Sequence, residues 1–413
     1  MRIPTNAREL DHELARRAGT RDLILHFDIP AGILESRPTY DARVADMLET
    51  AKDELRRETG AVTYALPALE TIILRVNASD ALLATRHAAT RKWGKGRCLA
   101  ATGVARHVYL PGTLTGRVPR PTYRTMQAKD SLPNLALIQA YDAQRVTTGD
   151  GAHIGIIDTG VDYDHPELGS RFTDEKGYDF IEDHERPRDQ NGHGTHVAGT
   201  VAGRTTGVAP GCTLYALRVL DADGYGSEAG VLRALDWAIR HELDAVNLSL
   251  GSAYPSEFEE DAFTRAIEAG VAIIAAAGNE SYGPSYPACY PGAVSVAAVD
   301  NDCRHADFSN IWTETDISAP GVNVFSCYLG GGYAELSGTS MATPHVCGVV
   351  ALATSVRKRS PDALEQLLET NCRELGKNDP QQHEKYGAGL IQAADTIRDA
   401  ARLTKVMRWL RPA

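Results

Sequence analysis

The stretch that decides the fold of this 413-residue chain reads Asn191-Gly192-His193-Gly194-Thr195-His196-Val197-Ala198-Gly199. Small side chains dominate it and continue to residue 202, which predicts a helix that can pack closely against its neighbours. His193 stands just before that helix, and imidazole is the side chain that gains and loses protons near neutral pH. The stretch therefore indicates an acid–base group held firmly at the start of a tightly packed helix.

Two further stretches, one on each side of it, supply complementary chemistry. Residues 156–160 read Ile-Ile-Asp-Thr-Gly, and residues 338–345 read Gly-Thr-Ser-Met-Ala-Thr-Pro-His. A serine hydroxyl is a weak nucleophile until a base takes its proton, and a buried carboxylate fixes the tautomer of that base. Asp158, His193 and Ser340 therefore predict nucleophilic catalysis by a serine.

Strands and helices are predicted to alternate between residues 131 and 397. Apolar runs typical of buried parallel strands occupy residues 153–157, 214–220, 245–250, 271–277 and 294–299. Helical periodicity is clear at residues 227–241 and 259–269, and Ser340 is expected to open a helix with Pro344 in its first turn. The pattern is that of an α/β fold with a doubly wound, mostly parallel sheet.

Ligands of such sheets bind outside the carboxyl ends of the strands. Asp158, Ser249 and Asn279 all fall at those ends. A helix beginning at Ser340 would add an N-terminus, which favours developing negative charge. The sequence therefore predicts one site that collects residues up to 182 positions apart in the chain.

From about residue 135 to residue 397 the chain resembles subtilisin-like serine proteases, whose catalytic residues occur in the order Asp, His, Ser. The resemblance implies that Asp158 orients His193, that His193 acts as general base and acid, and that Ser340 attacks the scissile carbonyl. It further implies an oxyanion hole made by the side chain of Asn279 and the backbone N–H of Ser340. A serine endopeptidase acting through an acyl-enzyme is the function expected.

The same resemblance implies how a substrate is held. Two edges would bind an extended peptide through main-chain hydrogen bonds, with a mostly uncharged pocket for the residue before the scissile bond (P1). Broad specificity with an apolar P1 preference follows, and Glu280 at the rim leaves room for Lys or Arg. The substrate-binding residues implied are Ser249, Leu250 and Gly251 on one edge, Gly224, Tyr225 and Gly226 on the other, and Ala276, Gly278 and Ser285 in the pocket.

No cofactor is required by this chemistry. Many relatives have a longer loop that wraps a tight calcium ion, whereas here only Arg204, Thr205 and Thr206 separate Gly203 from Gly207. Such a loop is too short to provide six or more oxygen ligands. The tight calcium loop is therefore expected to be absent, a weaker structural calcium site is left open, and Glu167 is not assigned as a ligand.

The N-terminal part of the chain predicts a separate α+β domain. Strands are expected at residues 22–27, 61–66, 70–76 and 104–110 and helices around Val44–Leu55 and at 79–89, with 91–103 as a loop. This βαββαβ order is that of a ferredoxin-like sandwich. The predicted domains are 1–112 (α+β), 113–131 (a Pro-rich cleavable linker), 132–397 (catalytic) and 398–413 (an amphipathic extension).

By the same resemblance, residues 1–112 correspond to a propeptide that inhibits the catalytic domain within the chain. The protein would then be a zymogen that cleaves itself between Gly112 and Ser131. Residues 1–130 carry 21 Lys and Arg against 15 Asp and Glu, whereas the whole chain has a net charge of −11. The two parts are therefore expected to attract each other.

Composition excludes several other classes. The chain is 43% apolar and 23% charged, which is ordinary for a globular protein, and no apolar run is long enough to span a bilayer. Its basic residues are interspersed with acids, so no nucleic-acid partner is expected. Seven cysteines without metal-type spacing and no secretory signal favour a cytoplasmic location, or a secreted one if a signal was removed.

Four alternatives accompany the protease interpretation. Ile-Asp-Thr-Gly also matches half of an aspartic protease, and His193 with His196 could bind zinc on one helical turn. A peptide ligase or macrocyclase would use the same acyl-enzyme with an amine in place of water. A catalytically silent binding relative would keep the fold without turnover.

Overall fold

A computed structural model describes residues 20–28, 37–59, 62–77, 98–111, 121–124 and 131–409. The centre of the molecule is a seven-stranded sheet made of β7 (His153–Asp158), β8 (Gly177–Asp179), β9 (Thr213–Arg218), β11 (Ala245–Leu248), β12 (Ala272–Ala276), β13 (Ala293–Val299) and β14 (Ile317–Pro320). The strands lie in the order β14-β13-β12-β11-β7-β9-β8, and every neighbouring pair is parallel. The five strands predicted for this region are therefore present, and the short strands β8 and β14 are additional.

Helices cover both faces of this sheet. The longer ones are α4 (His193–Ala202), α5 (Glu228–Arg240), α6 (Glu257–Glu268), α7 (Thr339–Val356), α8 (Pro361–Thr370) and α10 (Ala393–Trp409), and the shorter ones are α2 (Pro133–Leu137), α3 (Ala140–Gln144) and α9 (Gln382–Tyr386). One apolar core lies around α4 and α7, and a second lies around α5 and α6. Because the strands are buried on both sides, they read as continuous apolar runs.

The chain order reverses between β7 and β11, which are neighbours in the sheet although other strands separate them in sequence. Such a reversal opens a crevice at the carboxyl ends of the two strands. Asp158 is the last residue of β7, and Ser249 directly follows β11. The fold thus places both residues at the crevice.

The N-terminal region forms a four-stranded antiparallel sheet with one helix packed on it. Its elements are β1 (Thr20–Asp28), β2 (Val62–Leu66), β3 (Thr71–Asn77), β4 (Cys98–Val104) and the helix α1 (Arg37–Thr59), and the strand order is β2-β3-β1-β4. Val44, Leu48, Ala51 and Leu55 of α1 are buried against β1 and β3, as their spacing predicts. The predicted helix at residues 79–89 lies outside the described residues, so the complete ferredoxin-like order stays a prediction.

The last predicted strand of that region, residues 104–110, is present only as a short strand and is not the fourth strand of this sheet. The fourth strand of the sheet is β4, in the stretch expected to be a loop. The apolar residues after it form a separate strand, β5 (His107–Tyr109), which pairs with β10 (Tyr225–Ser227) 116 or more residues further along the chain. The sequence shows an apolar run but not which edge it joins, because that edge is distant in sequence.

One strand also lies within the predicted linker. The strand β6 (Thr122–Arg124) adds to an antiparallel hairpin of β15 (Val324–Tyr328) and β16 (Gly332–Leu336). At the other end of the chain, the predicted extension at 398–413 is not a separate element, because α10 starts at Ala393 and is continuous through residue 398. Ile397 and Ala400 of α10 are buried in the main core.

Candidate active site

Asp158 and His193 are directly hydrogen-bonded. His193 Nδ1 lies 2.8 Å from Asp158 Oδ1 and 3.0 Å from Oδ2, and the two side chains are 3% and 0% exposed. A carboxylate only accepts, so Nδ1 carries the hydrogen and Nε2 is left as the acceptor of the neutral ring. Nε2 is buried and has no hydrogen-bond partner among the described residues. The pair can therefore accept a proton at Nε2.

The close approach of α4 to β7 depends on Gly194. A Cβ at this position would lie 2.1 Å from the carbonyl oxygen of Gly160 and 3.1 Å from Asp158 Oδ1. A contact as short as the first is a steric clash, so any side chain at this position would push the helix away from Asp158. The glycine after His193 is thus required for the Asp158–His193 distance.

Asp189 holds the start of α4, although it is not among the site residues predicted from the sequence. Its Oδ1 accepts hydrogen bonds from the backbone of Asn191 and Gly192, and its Oδ2 accepts from the backbone and hydroxyl of Thr195. Burial raises the pKa of the Asp189 carboxyl, and these donors oppose the shift. The sequence pattern that could have identified Asp189 is an acidic residue shortly before an Asn-Gly turn that precedes a helix.

Ser340 is the second residue of α7 and is fully buried. Its Oγ lies 3.4 Å from the carbonyl oxygen of Ser249, and in this conformation it makes no hydrogen bond to His193 Nε2. Pro344 lies in the second turn of α7, not in the first turn as predicted. Because proline has no N–H, it donates no helical hydrogen bond to the carbonyl four residues earlier, which is that of Ser340. Ser249 Oγ donates to this carbonyl at 2.9 Å, and Asn247 Nδ2 donates to Ser249 Oγ.

Asn279 is fixed by the first residue of the same helix. Its Oδ1 accepts from both the backbone N–H and the hydroxyl of Thr339, each at 2.9 Å. This arrangement leaves its Nδ2 as a donor, and Nδ2 lies 3.1 Å from the carbonyl oxygen of Pro111. The preceding residue, Gly278, has a φ of +106°, and a Cβ there would lie 2.3 Å from Asn310 Nδ2. The amide is therefore aimed at a carbonyl of the chain's own N-terminal region.

The two predicted substrate edges bind that same region. The strand β5 pairs antiparallel with β10, so that Tyr109 faces Tyr225 and Val108 faces Gly226. On its other side Tyr109 exchanges two backbone hydrogen bonds with Gly251, at 3.0 and 2.9 Å. The structure thus brings Tyr225, Gly226 and Gly251 against an extended segment of the chain itself.

The remaining predicted residues of the groove lie close by. Leu110 N donates to Gly224 O at 3.2 Å. Leu250 is fully buried in the same apolar core as Val108 and Leu110. It therefore supports the groove through packing.

The three residues assigned to the P1 pocket are buried. Ala276 ends β12, Gly278 follows it in the left-handed conformation, and Ser285 is 7% exposed, with its Oγ 2.6 Å from where a Cβ on Gly251 would stand. Glu280, predicted at the rim of the pocket, is hydrogen-bonded within the protein, because its Oε2 accepts from the backbone N–H of Asn279 at 2.8 Å. Its carboxylate is thus part of the scaffold that holds Asn279.

His196 lies in the core and faces carbonyl oxygens. Its Nε2 is 2.9 Å from Val324 O and 3.2 Å from Ala334 O, so Nε2 carries the hydrogen. Burial lowers the pKa of the His196 imidazole to about 3. A ring whose Nε2–H already donates to backbone, and which shares no ligand cluster with His193 among the described residues, does not fit the zinc alternative.

Glu167 is held by protein donors at the short loop between Gly203 and Gly207. Its Oε2 accepts from the backbone and hydroxyl of Thr205 at 2.6 and 2.9 Å, and its Oε1 lies 3.5 Å from Arg204 and 3.3 Å from the hydroxyl of Tyr333. Glu167 itself is 2% exposed. A guanidinium beside the carboxylate and donors on both oxygens do not fit a calcium ion at this position.

Two clusters in the described part of the chain have the spacing of metal ligands. In the first, Asp179, Glu182 and His184, the guanidinium of Arg218 already bridges the two acids, at 2.6 and 3.2 Å. The second consists of Asp316, Glu365 and Glu369. Burial, followed by repulsion from neighbouring acids, raises the pKa of the Asp316 carboxyl to about 7.

We expect Asp316 to make stability fall as the pH rises. Its folded pKa is raised, so its contribution is present below the unfolded value near 3.8 and is lost as the pH rises through about 7. The difference in free energy of unfolding between Asp316→Asn and its Ser340→Ala parent should therefore grow in favour of the variant by on the order of 2 kcal/mol from pH 5 to pH 8. Unfolding midpoints at both pH values, with exposed Asp302→Asn as control, measure this. Parallel curves for the two variants would contradict it.

The cysteines whose side chains the structure describes carry free thiols, namely Cys212, Cys289, Cys303, Cys327, Cys347 and Cys372. Cys347 lies on α7, and burial raises the pKa of its thiol well above the usual value, so it packs as a small apolar group. Within the residues that the structure describes, no helix combines the length and apolar character needed to cross a bilayer.

The chain is similar in sequence to proteases of the subtilase family. The model of the subtilase family matches residues 149–389. A thermostable alkaline protease of Halalkalibacterium halodurans is 44% identical over 255 residues, which are 59% of this chain and 67% of that protein. Subtilisin Savinase of Lederbergia lenta is 41% identical over 264 residues, covering 62% of this chain and 93% of the relative.

Solved structures point the same way. The crystal structure of a cold-adapted subtilisin-like serine proteinase matches with a TM-score of 0.55 and 36% identity, covering 60% of this chain and 88% of the other. Together with the parallel sheet and the helices around it, these matches define the class. The chain belongs to the subtilase family and has the subtilisin-like α/β fold. It is a subtilisin-like serine endopeptidase.

Proposed function

We propose that this endopeptidase hydrolyses peptide bonds with Ser340 as nucleophile, His193 as general base and acid, and Asp158 as the group that orients His193. The hydrogen bond between His193 Nδ1 and Asp158 supports the last role, because it leaves Nε2 free to accept. Ser340 must turn from Ser249 O towards Nε2 before it can attack. A serine hydroxyl needs only a rotation about χ1 for this movement.

Asn279 is the proposed oxyanion donor, together with the backbone N–H of Ser340. The observation that carries the proposal is the 3.1 Å contact of Asn279 Nδ2 with Pro111 O, because a peptide carbonyl already lies at this donor. Donors that are already oriented stabilise the oxyanion without reorganising during the reaction. The fixed amide of Asn279 fits this requirement.

Substrates are proposed to be proteins and peptides bound as an extended strand between Gly224–Gly226 and Ser249–Gly251. The pairing of β5 with β10 and Gly251 supports this mode, since it uses backbone groups that every peptide has. Val108, Leu110 and Pro111 of the bound segment are all buried. Broad specificity with apolar residues near the scissile bond follows, and a series of peptide nitroanilides that differ at P1 tests it.

We further propose that the N-terminal domain acts as an intramolecular inhibitor and is removed by self-cleavage. Its Ile24, Leu66, Leu69 and Ile73 share a core with α5 and α6. Ala68 N donates to Asp236 Oδ1 at 2.9 Å, and the ring of Tyr64 lies 3.7 Å from the guanidinium of Arg233. Arg265 of the catalytic domain pairs with Glu70 of the N-terminal domain, and the polarity of this ion pair is opposite to the net charges of the two parts.

We propose that no metal ion is needed at the loop of Glu167. If this loop binds no calcium, the thermal unfolding midpoint of the Ser340→Ala chain should be the same in excess EDTA and in excess calcium. Thr205→Val, which removes one donor from the buried carboxylate, should lower stability by about 1–3 kcal/mol, and calcium should not restore the loss. Restoration by calcium would show that the carboxylate binds the ion.

One experiment separates hydrolysis from the ligase and silent-relative alternatives. The processed protein is incubated with a casein-like protein and with a peptide that bears a free N-terminus, and the products are read by mass spectrometry. Linear fragments, with one water added for each bond cleaved, support the endopeptidase. Cyclic or joined peptides would indicate a ligase, and unchanged substrates a silent relative.

A further inference from the structure

The segment from His107 to Pro111 occupies the active-site groove as a substrate would. Tyr109 pairs with Gly251 on one side and Tyr225 on the other, and Leu110 N donates to Gly224 O. The carbonyl oxygen of the last residue, Pro111, lies 3.1 Å from Asn279 Nδ2. The bond that follows this carbonyl is Pro111–Gly112, one bond before the range of residues 112–131 expected from the sequence.

Pro111 interrupts the hydrogen-bond pattern of this segment. Tyr109 faces Gly251 in an antiparallel bridge, so residue 111 is the one opposite Ser249, two positions earlier on that edge. Any other residue at position 111 could donate its N–H towards Ser249 O. Proline has no N–H and cannot make this bond.

The carbonyl left without that donor is contacted by the nucleophile itself. Ser340 Oγ lies 3.4 Å from Ser249 O, whereas His193 Nε2 is buried without a partner among the described residues. The hydroxyl hydrogen therefore points to a backbone carbonyl instead of the base. An N–H at position 111 would compete for Ser249 O and favour the rotamer in which Ser340 faces His193.

We propose that Pro111–Gly112 is the bond at which the chain cleaves itself, and that Pro111 makes this cleavage slow, so that the N-terminal domain persists as an inhibitor. The proposal rests on the proposed endopeptidase function. Ser340 Oγ attacks the Pro111 carbonyl carbon and gives its proton to His193. His193 passes a proton to the nitrogen of Gly112 as the C–N bond breaks. Water then hydrolyses the ester, which leaves a carboxylate at Pro111 and regenerates the hydroxyl of Ser340.

The test follows self-cleavage of the full chain after refolding from denaturant. Wild type is compared with Pro111→Ala and Pro111→Leu. Both substitutions introduce a backbone N–H at position 111, and the leucine also places a larger apolar side chain there than the alanine does. Pro121→Ala, in the linker before β6, is the matched control. Intact mass and N-terminal sequencing are recorded over time.

Wild type should release a chain that begins at Gly112. The two Pro111 variants should cleave at the same bond about ten-fold faster, the effect of one hydrogen bond in the transition state, and Pro121→Ala should match wild type. A new N-terminus other than Gly112, or Pro111 variants no faster than Pro121→Ala, would overturn the proposal. Using two variants guards against a folding defect in either one.

A second readout separates this inference from the function on which it rests. Each sample is treated with a fluorophosphonate probe and assayed on a short peptide substrate. If Ser340 is labelled and the peptide is hydrolysed while the junction lies elsewhere, only the inference about Pro111 fails. If no sample cleaves itself, and none binds the probe or hydrolyses the peptide even after the N-terminal domain has been removed, the proposed function fails together with it.

Discussion

Replacing Ser340 by alanine should abolish both self-cleavage and peptide hydrolysis. The proposed role of the hydroxyl is to form the acyl-enzyme, so the rate that remains without it would come from substrate binding and the proposed oxyanion donors alone. We expect kcat to fall by about 10⁶-fold, a magnitude taken from subtilisin, which belongs to the same family. Steady-state kinetics with a peptide nitroanilide and intact mass of the purified chain measure the two activities.

Ser355→Ala is the matched control for this experiment. Ser355 lies on the same helix, α7, where its hydroxyl bonds to Leu352 O and Thr147 instead of the groove. It should keep the activity and the processing of wild type. A Ser340→Ala chain that still shortens itself in the absence of other proteases would place the nucleophile elsewhere.

Asn279→Ala should reduce kcat by about 100- to 1000-fold with little change in KM. In its proposed role the side chain donates a hydrogen bond to the charge that develops on the carbonyl oxygen, so its loss would act mainly on the transition state. Subtilisin is again the source of this magnitude. Asn279→Asp keeps the acceptor for Thr339 but replaces the donor by a negative charge, and it should lose at least as much activity.

Asn371→Ala, at the end of α8, is the matched control for the loss of an amide side chain, because the Asn371 amide donates locally to Leu367 O. Unfolding midpoints separate a loss of stability from a loss of catalysis. If Asn279→Asp retained wild-type kcat, the amide of Asn279 could not be the oxyanion donor.

Much of the parallel sheet could be predicted from the sequence because buried parallel strands leave continuous apolar runs. The strands β7, β9, β11, β12 and β13 match such runs to within two residues at each end. The strands β8 and β14 have only three and four residues, too few for a periodic signal. The strand β4 contains Cys98, Gly103 and several small residues, and its place in the sheet depends on pairing with β1.

The residue types of the site could also be predicted, whereas its supporting contacts could not. Asp158, His193 and Ser340 stand in motifs, and their order in the chain is informative. The bond from Ser249 Oγ to the carbonyl freed by Pro344 joins residues 91 apart in the chain. The contact of Asn279 with Pro111 spans 168 residues. Contacts between residues so far apart depend on the topology of the fold, and no local sequence pattern predicts them.

The most direct test of the account is covalent labelling of the processed protein with a fluorophosphonate, followed by peptide mapping. The probe reacts with a serine only when a base and an oxyanion donor activate it. We predict one adduct, on Ser340, that is lost in His193→Ala and is blocked while the N-terminal domain remains bound. An adduct on another serine, or none on Ser340 after the N-terminal domain has been removed, would contradict it.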